Sequence, residues 1–168
     1  MTRPNPEHLF DQADRLATLT AAGAPRQVDL RRAIAAAYYA VFHYILRAAA
    51  DDFVGAAHQG TSRYALVYRS IDNKPLRDLC AEAQKPVMSR KFSKLQPGGF
   101  GSDLQAFARA VAELQQRRHS SDYDPLARFK ISDARLAITT GRTTLARFEA
   151  ADASDRRMFL TLLVFNPR

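Results

Sequence analysis

Apolar residues recur every three or four positions along almost the whole chain, which is the period of an α-helix, and no segment shows the alternation of a β-strand. The helical segments are approximately 5–22, 26–50, 62–71, a shorter one at 75–83, 102–120, 132–151 and a short last one that contains 158–165. Short turns between such segments favour antiparallel packing. We therefore predict an all-α fold, an antiparallel bundle of five to six helices that forms one domain over residues 1–168.

The segment 26–50 has the strongest pattern and is apolar around most of its circumference, so we expect it to be the central helix. Arg32, Tyr39 and His43 lie on a neighbouring stripe of the same helix. His43 is either a cleft residue or a structural histidine bonded to a neighbour. Tyr39 and the adjacent Tyr38 either stack on bases or belong to the core.

The helix ends and the last apolar segment add three expectations. Ser102 and Ser154 precede apolar runs, and serine is a common N-cap residue, so we expect each to cap its helix. The run 158–165 is apolar on nearly every face. It either inserts into the core or forms an interface, and we favour the core.

Between the helices, residues 84–101 form a proline- and glycine-rich stretch that we predict to be an irregular loop. Its four cations are Lys85, Arg90, Lys91 and Lys94, and no acidic residue lies between Glu82 and Asp103. Such a run is either a solvated loop or a contact for nucleic acid.

Composition adds a basic excess to this pattern, with 25 Lys and Arg against 17 Asp and Glu and a net charge of +8. Arginine outnumbers lysine by 20 to 5. Arginine binds phosphate with two donors and stacks on bases, so the bias suits nucleic acid, although coding bias explains it equally well.

Other features of the composition exclude several classes of protein. No apolar run reaches the roughly 18 residues of a membrane span, and the N-terminus lacks the apolar segment of a secretory signal. Cys80 is alone, which excludes internal disulfides and multi-cysteine metal sites. We expect a cytoplasmic protein without metal, cofactor or membrane contact.

The candidate site lies at the end of segment 102–120. The buried stripe of that helix, continued by four residues, reaches Arg118, and a buried guanidinium must be paired because it keeps its charge. Asp122, four residues later, is the natural partner. The pair is either structural, or it marks a phosphate-binding arginine beside a proton-handling Tyr123 or His119.

Two segments together resemble the HEPN superfamily, whose name stands for higher eukaryotes and prokaryotes nucleotide-binding. Residues 30–43 read LRRAIAAAYYAVFH, and residues 118–125 read RHSSDYDP. Small stand-alone bacterial members of the superfamily carry a similar AYYAxFH helix, followed some eighty residues later by an RxxADYDP-like segment. The resemblance covers roughly residues 24–165.

The resemblance implies a helical homodimer in which the two arginine segments face each other across a two-fold cleft. Many members are metal-independent endoribonucleases that use an arginine and a histidine separated by four to six residues. Arg118 matches that arginine, but Tyr123 stands where the histidine is expected, and His119 follows Arg118 directly. By the same analogy, Tyr123 is a candidate for modification by a partner nucleotidyltransferase.

These implications lead to two functional hypotheses. The first is an RNA- or nucleotide-binding protein, with or without ribonuclease activity, in which Arg118 holds phosphate, Asp122 orients it, and Tyr123 or His119 handles a proton. Arg117 and the cationic loop would then add attraction that does not depend on RNA sequence. The alternative is a non-catalytic interaction protein, one half of a toxin–antitoxin-like pair or the partner of a nucleotidyltransferase.

Overall fold

The computed structural model describes residues 4–167, and within that range the chain is helical with no β-strand. The described residues form eight α-helices: α1 (Pro6–Leu16), α2 (Gln27–Val54), α3 (Ser62–Arg69), α4 (Asn73–Ala83), α5 (Arg90–Ser93), α6 (Ser102–Tyr123), α7 (Ile131–Ala150) and α8 (Ala153–Val164). A single 3₁₀ turn (Ala56–His58) connects α2 to α3. The prediction of an all-α fold is confirmed. The described residues form eight helices rather than the predicted five to six, because the two short segments form separate helices, α3 and α4, and the predicted irregular loop contains α5, a single helical turn.

Helix α2 is the centre of the bundle. Arg31 near its start bonds to the carbonyl of Ser121 near the end of α6, so α2 and α6 run antiparallel. Tyr44 contacts Phe148 near the end of α7, so α2 and α7 run parallel. Helices α1, α3 and α8 also pack on α2, and α4 packs on α6. The buried apolar side chains of α1, α2, α4, α6, α7 and α8 belong to one continuous cluster, against which Tyr68 of α3 packs.

Although no single apolar run is long, α2 as a whole has the length and composition of a membrane-spanning helix. Its most apolar window has a mean hydropathy of 1.3, and 72% of that window is buried by the other helices. An apolar helix enclosed in this way is typical of the core of a soluble bundle. The first residues of the chain, on which the expected absence of a secretory signal partly rests, lie outside the described range.

Helix α8 inserts into the core, which confirms the favoured alternative for the last apolar segment. Phe159 is fully buried and packs edge-on against Phe107 of α6, with ring centroids 5.5 Å apart. It also contacts Phe148 of α7 and Phe100. The apolar run therefore closes one end of the bundle.

The helix ends differ from the predictions where hydrogen bonds decide them. Helix α1 ends at Leu16 rather than near residue 22, and residues Thr20 and Gly23 form a tight turn through two backbone hydrogen bonds. Ser102 is the first residue of α6 and not its cap. Asp152, rather than Ser154, caps α8, because its carboxylate accepts from the first free N–H groups of that helix.

Candidate functional site

Arg118 lies on the face of α6 that packs against α2. Its guanidinium sits over two ring faces, with Cζ 5.4 Å from the ring centroid of Tyr38 and 5.5 Å from that of Tyr39. Its side chain is 11% exposed. The burial expected from the apolar stripe is present, and the two rings provide the cation–π contacts that make it tolerable.

The ion pair expected between Arg118 and Asp122 is present, but it is long. Arg118 Nη1 donates to Asp122 Oδ2 at 3.4 Å, and the Asp122 side chain is 31% exposed. The buried Nε of Arg118 has no hydrogen-bond partner in the described part of the chain. Since a guanidinium has five N–H donors, this buried cation keeps unused capacity for an anion.

Tyr38 belongs to the core beneath Arg118. It is fully buried and donates its phenolic hydrogen to Asn73 Oδ1 at 2.6 Å. Burial raises its pKa well above the usual range, so the hydroxyl stays neutral. Gln115 of α6 donates to the backbone carbonyl of Asn73, which ties α4 to the same place. Tyr38 is therefore structural, whereas Tyr39 remains partly exposed.

His43 lies one helical turn after Tyr39 on the same face of α2. Its Nδ1 is 2.8 Å from the hydroxyl of Tyr68 on α3, and the planes of the two rings are nearly parallel. Burial lowers the pKa of His43 below its ordinary value. The expected hydrogen-bonded histidine is thus present, and it lies on the strip of α2 between α6 and α3.

His119 and Tyr123 form a separate pair on the outer surface of α6. Their ring centroids are 5.1 Å apart, and Tyr123 is 66% exposed. A step of one residue turns a helix by about 100°, so these side chains leave α6 in a different direction from Arg118 and Asp122. The four predicted catalytic residues therefore form two pairs on adjacent faces, and the rings of the outer pair do not lie on the α2 tyrosines.

The loop that follows α6 is fastened to the start of α2 by Arg31, a residue to which the sequence assigned no role. The Arg31 guanidinium donates to the backbone carbonyls of Ser121, Asp124 and Ala127 at 2.7–2.8 Å. Gln27 adds a reciprocal pair of hydrogen bonds with the backbone of Phe129. These bonds hold the end of α6, and with it Arg118, against α2.

The remaining predicted nucleic-acid contacts are not brought to Arg118. Arg117 is next in sequence but is bound by Glu113 at 2.8 Å. The cationic loop follows α4, whose end meets α6 near Ala108, about 15 Å along the helix from Arg118 at 1.5 Å per residue.

Within that cationic loop, two of the four cations have protein partners. Lys85 pairs with Glu82, and Lys91 lies over the ring of the buried Phe92. Arg90 and Lys94 are exposed. The loop therefore forms its own surface, separate from the Arg118 site.

A cleft of about 680 Å³ lies over the second half of α2, beside α7 and the start of α8. Its polar side chains already have partners: Arg157 binds Asp52, Arg156 donates to two backbone carbonyls, and Tyr44 donates to Glu149. Burial and that carboxylate raise the pKa of Tyr44 to about 12. Among the described residues that line the cleft, no side-chain nitrogen or oxygen is both buried and without a hydrogen-bond partner, in contrast to Arg118.

No group of three His, Cys, Asp or Glu side chains that suits a metal ion occurs among residues 4–167. No protein-family model, curated protein or solved structure matches the chain. The chemistry of the site is accordingly read from its own geometry.

Proposed function

We propose that this chain is an RNA-binding protein of the HEPN type that holds the RNA backbone at Arg118. The observation that carries the proposal is a buried guanidinium that, among residues 4–167, has no partner for its Nε and a single carboxylate contact, a 3.4 Å ion pair. Buried charges are normally paired and hydrogen-bonded. A phosphate oxygen that displaced or joined Asp122 at Nη1 would give the Arg118 guanidinium a stronger charged partner.

Two neighbours on α2 extend this site. Tyr39, which supports the Arg118 guanidinium, is partly exposed and offers a ring on which a base can stack. Arg32 lies seven residues earlier on the same face and is exposed. A single strand that follows this strip would meet a cation, a ring and a second cation in turn.

The family resemblance extends the proposal to a cytoplasmic homodimer with a HEPN-like bundle, which needs no cofactor and cleaves RNA without a metal. In such a reaction Arg118 would stabilise the negative charge that develops on the phosphate. His119 and Tyr123 would lie at the rim of the site, on the outer face of α6.

The test is a binding titration with a labelled single-stranded 2′-O-methyl RNA in EDTA at several salt concentrations, followed by fluorescence anisotropy. We expect Arg118→Ala to weaken binding about tenfold or more. It should also reduce the slope of log K against log salt by about 0.7, the contribution of one phosphate contact on a single strand. Arg109→Ala is the matched control, because it removes an exposed arginine from the same helix.

Equal losses of RNA affinity in Arg118→Ala and Arg109→Ala would show attraction by net charge alone and would contradict a site at Arg118.

The alternative, a non-catalytic interaction protein, predicts no RNA binding by the wild type. It is favoured by the exposed apolar Leu126, which is 86% exposed just beyond α6. In that case Arg118→Ala would leave any protein partner bound.

A further inference from the structure

One strip of α2 lies between α6 and α3 and brings the side chains of Arg118, Tyr39 and His43 close together. Tyr39 contacts Arg118 of α6 on one side, and His43 contacts Tyr68 of α3 on the other. The Tyr39 ring centroid lies 5.5 Å from Arg118 Cζ and 6.4 Å from the His43 ring centroid. The guanidinium and the imidazole are therefore no more than about 12 Å apart on one surface.

His43 has the chemistry of a proton acceptor on that surface. One ring nitrogen, Nδ1, is occupied by the Tyr68 hydroxyl, which leaves Nε2 as the second nitrogen. Burial lowers the pKa of His43, so the ring is neutral at pH 7. In the tautomer in which Nδ1–H donates to Tyr68, Nε2 carries a free lone pair.

We infer that His43 is the general base of RNA cleavage at this site, which places the histidine that the Arg118 segment lacks on α2. The inference rests on the proposed function, since it requires RNA at Arg118. The cleavage site is thus built from two helices: the cation comes from α6 and the base from α2.

The reaction balances without a metal or a further reactant. His43 Nε2 takes the proton of a 2′-hydroxyl, and the 2′-oxygen attacks the adjacent phosphorus. The bond from phosphorus to the 5′-oxygen breaks, and that oxygen leaves with the electron pair and takes a proton from water. The products are a 2′,3′-cyclic phosphate and a 5′-hydroxyl, and His43 returns its proton to solvent.

His119 is the competing base, and the geometry disfavours it. It directly follows Arg118 and contacts the ring of Tyr123 at the outer surface, where its side chain leaves α6 in another direction. His43, in contrast, lies on the strip whose Tyr39 ring supports the Arg118 guanidinium.

The experiment measures cleavage of a short RNA in EDTA, and separately the binding of its 2′-O-methyl analogue, for wild type, His43→Ala, His43→Gln and His119→Ala. We expect both His43 variants to cleave at least about 100-fold more slowly, the usual contribution of a general base, and to bind the analogue within twofold of wild type. Added imidazole should restore cleavage at least tenfold in His43→Ala. The double variant His43→Ala/Arg118→Ala gives the background rate with imidazole.

Each other outcome separates the inference from the proposed function. Wild type that binds the analogue but does not cleave RNA, or a loss of cleavage in His119→Ala with none in His43→Ala, overturns the role of His43 and leaves RNA binding intact. A His43→Ala variant that binds and folds but gains nothing from imidazole over the double variant also overturns that role. Absence of binding by the wild type overturns both.

Discussion

Replacing Arg118 by methionine separates a structural arginine from one retained for binding. Methionine keeps an unbranched stem and favourable sulfur contacts on the rings of Tyr38 and Tyr39, but it removes the charge. If the Arg118–Asp122 pair locks the helix end, stability falls sharply. If Arg118 is an incompletely satisfied cation, stability changes little while RNA binding is lost.

The magnitude follows from the contacts of Arg118. The lost ion pair to Asp122 is long and partly exposed and contributes about 0.5 kcal/mol. The two ring contacts contribute about 0.5–1 kcal/mol each. Against this, removal of the unpartnered Nε relieves a cost of about 1–3 kcal/mol. These contributions nearly cancel, so Arg118→Met should shift the free energy of unfolding by no more than about 1 kcal/mol.

Arg31→Met is the matched control, because Arg31 also lies between α2 and α6 but makes three short hydrogen bonds. Its three hydrogen bonds to backbone carbonyls, partly open to solvent, contribute about 3 kcal/mol together.

The assay is thermal unfolding followed by circular dichroism, supported by urea titration. At about 2–4 °C per kcal/mol, Arg31→Met should lower Tm by about 6–12 °C and Arg118→Met by at most about 4 °C. A decrease in Tm for Arg118→Met as large as that for Arg31→Met would refute the reasoning and show that Arg118 is structural.

Three further predictions test the packing and the surroundings of the site. Gly141→Ala should destabilise the fold by about 1–3 kcal/mol in urea unfolding, because the new Cβ would lie 2.7 Å from the buried Phe10 ring. The control Gly60→Ala, with open space around the new Cβ, should change the free energy of unfolding by less than about 0.5 kcal/mol. Equal effects of the two substitutions would contradict this account. Asp122→Asn should raise RNA affinity severalfold in the anisotropy titration, since it removes the anion that competes for Arg118; a loss of affinity would mean that Asp122 orients the guanidinium. The double variant Arg90→Ala/Lys94→Ala should leave the affinity for a short RNA within twofold of wild type, because the cationic loop lies far from Arg118, and a larger loss would place the RNA on the loop.

The long helices were predictable because their apolar spacing continues for many turns. The same reasoning placed Arg118 correctly, since it continues the buried stripe of Leu104, Phe107, Val111 and Leu114 by one further step. Helix ends were less predictable because a cap depends on which side chain reaches the free N–H groups. At α8 this is Asp152, although Ser154 has an equally suitable side chain.

The contacts that complete the site had no signal in the sequence. Arg31 bonds to carbonyls 90 to 96 positions away, and backbone carbonyls look alike at every residue. The His43–Tyr68 bond joins two helices whose relative position is set by the turn between them. The cationic loop is the opposite case: its charges are evident in the sequence, but they do not reveal that the loop lies far from Arg118 along α6.

The central position of α2 has a consequence for the nascent chain during its synthesis on the ribosome. This helix has the hydropathy of a membrane span, and α7, one of the helices that cover it, is complete only at Ala150, about a hundred residues later. At about 5–20 residues per second, translation leaves the apolar surface of α2 incompletely covered for roughly 5–20 s. Nascent chains should therefore recruit chaperones through α2, and chains truncated before α7 should aggregate.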